Sequence, residues 1–346
     1  MREPGDSLLE VENLRVSFAT TVGSAQVLDG VNIAIRPGEI MGLVGESGCG
    51  KTTLANAILG ILAANARHVA GTIRFCGEDL LTMPRRRVAE EIRGRRITFI
   101  PQDPVGSFNP LFSVGTQTME VMKWKSPRRS AREGRGIAGF FCRYPRARRS
   151  ADVAAVAQML RAVQMPGASD VFGKLPHEFS GGQRQRLMIA LALLPEPRLI
   201  IADEPTTALD ATIQAQILKL LKQLAKQTGT SVLFTTHDLG SAYEICDRVT
   251  VMYAGQEVET APVDEFFRRP HHPYTVRLLE SLPSPGRELR EIGGEIPLLI
   301  RPPAGCRFHP RCARASEACG IQRPGAAPLG DGHQVRCYHP IVGATT

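Results

Sequence analysis

Apolar positions along this chain follow two rhythms. Residues 8–18 (LLEVENLRVSF) and 27–35 (VLDGVNIAI) alternate partially and predict strands; after an RPGE turn, the run IMGLVG, closed by glycine, predicts a buried one. From Lys51 to Leu62 the apolar residues Leu54, Ile58, Leu59 and Leu62 recur on one helical face. Residues 71–76 and 96–101 are further strand candidates, 150–164 predicts a helix, and another helix follows Gly182 and ends near Pro195. LIIAD (199–203) predicts a buried strand, and SVLFTT (231–236) another. Between them Ile213, Ile217, Leu220, Leu221 and Leu224 line one face of an amphipathic helix over 211–228. Alternating strands and helices predict an α/β domain with a largely parallel sheet.

Two regions break the rhythm. Residues 126–149 hold eight arginines and one acid among scattered glycine and proline, which predicts a loop or a poorly ordered insertion. Beyond residue 283 proline and glycine become dense, and a loop-rich tail is expected. There is no internal repeat.

Composition narrows the classes. At 346 residues and 43% hydrophobic the chain has material for a sizeable core, and a net charge of +8 suits an anionic partner such as nucleotide, nucleic acid or a membrane surface. No apolar run is long enough to span a bilayer, and the opening MREPGDSLLE has no apolar stretch of the secretory kind. A cytosolic location is therefore expected, and the eight cysteines read as thiols or metal ligands rather than disulfides.

GESGCGKT (45–52) fits a phosphate loop between a predicted strand and a predicted helix. Gly45, Glu46, Ser47, Gly48, Cys49 and Gly50 form the loop, and Lys51, Thr52 and Thr53 open the helix. The N–H groups of Gly48, Cys49 and Gly50 are expected to point inward at phosphate, Lys51 to reach the β- and γ-phosphates, and the Thr52 hydroxyl to bind Mg²⁺. LIIADE ends in two acids: Asp203 is expected to hold Mg²⁺ through water and Glu204 to polarise the attacking water.

FSGGQRQR (179–186) narrows the choice among phosphate-loop proteins. It resembles the LSGGQ signature of ABC ATPases, with Phe179 in place of leucine. Gln102 in IPQDP resembles the Q-loop glutamine, TTALD (206–210) the D-loop, His237 in TTHD the switch histidine, and Phe18 the ring that stacks on adenine. Each has a plainer reading. Ser180 and Asp210 could cap helices, His237 could end a strand, Gln102 could sit on a surface loop, and Phe18 could be core. The resemblance covers about residues 8–283 and implies an ABC-type ATP-binding domain with a helical subdomain near 103–195. It also implies two such domains packed head to tail. Ser180, Gly181, Gly182 and Gln183 of one, with Asp210, would then face the ATP held by the other, while His237 positions the γ-phosphate and Gln102 contributes to the Mg²⁺ site.

The tail carries Cys306, Cys312, Cys319 and Cys337, a C-x5-C-x6-C-x17-C spacing wider than that of common zinc ribbons. Four thiolates suit Zn²⁺ or a [4Fe–4S] cluster; disulfides or free thiols remain alternatives. His309, His333 and His339 lie nearby as substitute ligands, while Cys76, Cys142 and Cys246 are scattered. GCRFHPRC, with HPYTVRLLESLPSP (272–285) upstream, resembles the C-terminal extension of the oligopeptide/dipeptide group of ABC importers. That resemblance implies a [4Fe–4S] cluster, with zinc as the alternative, in a small extension over 284–346. It implies ATP and Mg²⁺, a second ATPase subunit (this chain or a homologue), two transmembrane permease subunits met near residues 102–125, and an extracytoplasmic substrate-binding protein. The expected location is peripheral, on the cytoplasmic face of the bacterial inner membrane, with nickel as an alternative cargo. A soluble ABC ATPase acting on nucleic acid or ribosomes is the rival class, with the Arg-rich stretch as its contact; one ATPase domain per chain and no aromatic interleaving count against it, and no specific nucleic acid is expected.

Overall fold

The computed structural model describes residues 7–104, 106–130, 144–207, 209–282, 292–330 and 332–341. In chain order the strands are β1 (Leu9–Thr20), β2 (Gly23–Ile35), β3 (Ile40–Val44), β4 (Ala66–Phe75), β5 (Glu78–Asp79), β6 (Ile97–Ile100), β7 (Leu199–Asp203), β8 (Ser231–Thr236), β9 (Arg248–Tyr253), β10 (Gln256–Pro262), β11 (Ala327–Gly330) and β12 (His333–Val335). The chain forms two compact units: residues 1–82 with 234–346, and residues 83–233.

In the first unit β2, β1, β4 and β5 make an antiparallel sheet. Leu14, Val31 and Ile35 are buried, and register shifts along β1 explain its imperfect alternation. In the second sheet of this unit, β3 pairs parallel to β9, and β9, β10, β12 and β11 continue antiparallel. One sheet is thus antiparallel and the other mixed, where the strand–helix alternation suggests a largely parallel sheet. The tail causes part of this difference. Its last strands join the edge, with Glu259 opposite Val335 and Thr260 opposite Gln334. Buried charges are paired: Arg248 Nε lies 2.9 Å from Glu39, and Glu257 takes Arg323 at 2.8 Å and Arg336 at 2.9 Å. The helix Lys51–Leu59 stops short of the predicted Leu62. Gly60 turns left-handed (φ 65°), and its N–H and that of Ile61 close on Ala57 O and Asn56 O.

In the second unit β6 and β7 pair in parallel, Ile97 opposite Leu199. Helices span Val114–Lys125, Arg146–Ala162, Gly181–Leu193 and Ala211–Thr228. The Arg-rich stretch is not a plain loop. Arg146–Arg149 form the first turn of a helix, and the fully buried Asp152 gathers Ser126 Oγ (2.8 Å), Tyr144 Oη (2.6 Å) and Arg148 (3.4 Å). A buried carboxylate needs such partners, and they tie both ends of the stretch to the unit. Its centre, residues 131–143 with Cys142, lies outside the described residues, as does the boundary expected at 283–284.

Candidate functional site

The phosphate loop leaves a wholly buried strand, β3, and opens the helix Lys51–Leu59. Gly45 has φ 151°, and a Cβ there would run into Met252 O, so the loop needs glycine to leave the sheet. The helix has no side-chain cap at Gly50 and no acid in its first turn. Its leading N–H groups thus form an electropositive end suited to phosphate. Lys51 is almost fully buried, and its ammonium donates to Gly45 O at 2.8 Å and Glu46 O at 3.4 Å, inside the curl of the loop.

The Cys49 N–H does not serve the inward cradle, because it closes a turn onto Glu46 O at 3.2 Å. Burial pushes the Cys49 thiol pKa up, with Lys51 pulling the other way, so the group is a neutral packing element. Ser47, Gly48 and Thr52 are exposed and Thr53 half-buried. Phe18 is a half-buried β1 residue opposite Ala25 and Ala66. His237 follows β8 and is exposed, and Asp238 caps the next helix through Gly240 N and Ser241 N.

In the second unit Asp203 ends the buried strand β7. Glu204 turns left-handed (φ 47°), a strained conformation for a non-glycine residue. Its carboxylate lies 3.5 Å from Gln102 Nε2 and 3.3 Å from Thr207 Oγ1. The expected acid and Q-loop glutamine are thus neighbours. Ser180 caps the helix Gly181–Leu193: its Oγ accepts from Gln183 N (3.3 Å) and its own N–H donates to Gln183 Oε1 (3.0 Å). Asp210 caps Ala211–Thr228 through Ile213 N at 3.0 Å. Both capping roles hold, and neither prevents a further role for the exposed helix end. Gly182 packs on Ile213, where a Cβ would come within 2.8 Å. Phe179 is buried, so the residue replacing the signature leucine is core.

The four tail cysteines are free thiols, and all four line one small pocket. Backbone N–H groups approach two of them: Ser316 N lies 3.5 Å from Cys319 Sγ, and His339 N lies 3.3 Å from Cys337 Sγ. Burial pushes Cys306 and Cys337 up to about 11, so they are thiols until a metal displaces the proton. His272 lines the same cavity. Its Nδ1 accepts from Tyr274 N (3.0 Å), burial pulls its pKa down to about 4, and its buried Nε2 has no hydrogen-bond partner. A neutral, orphaned N–H beside four thiols fits a sulfur-rich guest. Among the described residues no group of three or more His, Cys, Asp or Glu is placed to hold a single metal ion. His333 is no ligand candidate, because it is committed to Glu259 at 2.7 Å.

Sequence reasoning missed the residues that join this tail to the phosphate loop: Tyr274, Arg307 and Arg311. They lie in the HPY and CRFHPRC strings, whose resemblance to the importer extension names no contact with the phosphate loop.

Comparison with known proteins defines the class. An ABC transporter family model matches residues 28–207, and the model for the C-terminal region of oligopeptide/dipeptide transporters matches residues 258–319. The chain belongs to the ABC transporter ATP-binding family, and it is an ATPase. It is 43% identical over 342 residues to the oligopeptide transport ATP-binding protein OppD of Salmonella typhimurium, covering 98% of this chain and 96% of that protein. To OppD of Escherichia coli K12 it is 40% identical over 343 residues, covering 98% and 95%. The dimeric post-hydrolysis structure of the ATP-binding cassette MJ0796 with ADP and Pi superposes with a TM-score of 0.59 at 24% identity, covering 74% of this chain and 98% of that one, which supports the fold.

Proposed function

We propose that this chain is the ATP-hydrolysing subunit of a membrane importer of di- and oligopeptides. One observation carries the reading: a complete phosphate loop shares a compact unit with an HPY-type extension, in a chain closely similar to oligopeptide transport ATP-binding proteins. Lys51 and the helix N-terminus hold the β- and γ-phosphates, and Phe18 packs on the adenine. By the family resemblance the Thr52 hydroxyl, Asp203 and Gln102 would hold Mg²⁺, which would supply charge neutralisation at the phosphates. Glu204, oriented by Gln102 and Thr207, accepts the proton of the attacking water. His237 steadies the γ-phosphate. Ser180 and Gly182 offer a capped helix N-terminus to the ATP of a second ATPase subunit.

No helix among the described residues is long and apolar enough to cross a membrane, so the span comes from permease subunits. Their docking surface is assigned to residues 102–125, where Leu111 and Phe112 are exposed apolar side chains. The subunit then lies peripherally at the cytoplasmic face of the inner membrane, and an extracytoplasmic binding protein delivers the peptide. Residues 103–195 form the helical subdomain. The four cysteines would hold a [4Fe–4S] cluster. Four thiols lining one pocket are the donor set that such a cluster takes, and a single zinc would instead need all four sulfurs about 2.3 Å from one point. Bound there, the cluster staples a tail with too little apolar material for its own core.

The test is reconstitution with co-purifying permeases in lipid vesicles. Peptide-loaded binding protein should raise ATP hydrolysis several-fold. Stimulation by a nickel salt instead would move the cargo to metal, and purification free of permeases would remove the transport reading.

A further inference from the structure

The segment between Cys306 and Cys312 is spent on the nucleotide side of the molecule. Arg311 sits at the end of a 3₁₀ turn over His309–Arg311, one residue before Cys312. Its guanidinium is nearly buried and forks onto the carboxylate of Glu46, the second residue of the phosphate loop, at 3.0 Å and 3.5 Å. The remaining N–H groups of that side chain go to Tyr253 Oη (3.1 Å), Ile292 O (2.7 Å) and Gly293 O (2.9 Å), so the fork has little freedom to turn.

Two further contacts grip the same loop. The backbone N–H of Glu46 donates to Tyr274 Oη at 3.1 Å, and Tyr274 packs with Tyr253 and Phe308 at ring-centroid distances of 4.6 Å and 5.2 Å. Arg307, fully buried, donates to Gln26 O at 3.0 Å and to Ala254 O. The next residue, Gly255, donates its N–H to Cys49 O at 2.9 Å. At Gly255 (φ +85°) a Cβ would run into Val27 O, so this turn lies flush against the chain. Phosphate-loop positions 46 and 49 are therefore tied, directly or through one turn, to the five residues that separate two of the four cysteines.

We propose that Arg311 is a positioning residue for nucleotide binding: by holding Glu46 it fixes the phosphate loop in its binding shape, and so makes ATP affinity depend on the C-terminal extension. This gives the wide cysteine spacing a reason, since a C-x2-C turn would leave two intervening residues where five are used here. Order in the four-cysteine site and ATP affinity then raise one another by the same factor. The inference rests on the phosphate-loop reading of 45–52.

The experiment measures the Kd of a fluorescent ATP analogue, KM and kcat on the full chain purified anaerobically, with iron content and melting midpoint recorded for every variant. Arg311→Gln should weaken binding about tenfold, the worth of a charge-assisted fork, raise KM in step, and change kcat less than about twofold at saturating ATP. Arg311→Lys, a point charge without the fork, should fall between. Glu46→Gln should weaken binding comparably, and the double variant should be no worse than the worse single. An unchanged Kd in Arg311→Gln with iron and melting point intact overturns the proposal, and so do single effects that multiply in the double variant. If Arg311→Gln loses iron or melting midpoint, Arg311→Lys, which keeps a charge against Glu46, decides: a weakened Kd there with iron and melting midpoint intact supports the proposal, and an unchanged Kd overturns it. Lys51→Ala separates the two readings: binding lost there and unchanged in Arg311→Gln sinks only the positioning role, while binding kept in Lys51→Ala sinks the phosphate loop itself.

Discussion

Glu259 of β10 accepts a 2.7 Å hydrogen bond from His333 Nε2 of β12, and both side chains are buried. The same carboxylate takes the backbone N–H groups of His271 (2.7 Å) and His272 (2.9 Å). One acid thus fastens the end of the tail and the start of the HPY segment. Burial pushes its pKa up, but the His333 hydrogen bond and these backbone donors outweigh it and hold the carboxyl below the ordinary 4.5. A depressed carboxyl pKa contributes stability that is fully present above the unfolded value and lost as pH falls through the folded one. Attachment of 333–335 should therefore be insensitive to this group at neutral pH and weaken only below about 4.5. Glu259→Gln should cost about 1–3 kcal/mol by facing an amide N–H₂ at N–H donors. Hydrogen exchange at 333–335 reads both effects, and slow exchange retained in Glu259→Gln would show that the acid does not hold the strand.

Lys51→Ala should lower ATP affinity on the order of a hundredfold, because the buried ammonium lies inside the loop's curl. Equilibrium binding without hydrolysis is the measurement. Near-normal affinity would mean that the loop does not take phosphate through this side chain.

Ser180 both caps a helix and is assigned to a partner's ATP. Aspartate caps as well as serine, so Ser180→Asp should keep the melting midpoint. The added charge would face the γ-phosphate, and turnover should fall about a hundredfold or more. Normal turnover would leave Ser180 as a cap and nothing else.

Cys312→Ser should lower iron and sulfide content while residues 83–233 remain folded, because the four cysteines lie in the other unit. Iron content equal to the parent chain would count against the four-thiol site.

Much of the nucleotide machinery was legible because its signals are local. Five buried residues closed by glycine announced β3, and LIIAD announced β7. The amphipathic face of 211–228 predicted the helix Ala211–Thr228 at its observed bounds. β9 and β10 were missed for a physical reason. Arg248, Glu257 and Glu259 are buried charges, and their partners Glu39, Arg323, Arg336 and His333 lie far away in sequence. No alternation of apolar and polar positions can announce a strand whose polar residues point inward. The tail read as loop for a related reason: much of its packing is made through Phe308, Arg307 and Arg311 onto residues distant in sequence.

The most direct test of the central claim is Glu204→Gln in the full chain with Mg²⁺ and ATP, followed by bound-nucleotide analysis and molar mass in solution. The amide keeps the hydrogen bonds and shape of the site but cannot accept the water's proton. ATP should remain unhydrolysed, and a closed ATPase pair should accumulate. ATP turnover at the parent rate, with no ATP-dependent pairing, would contradict the assignment of Glu204 and with it the proposed hydrolytic cycle.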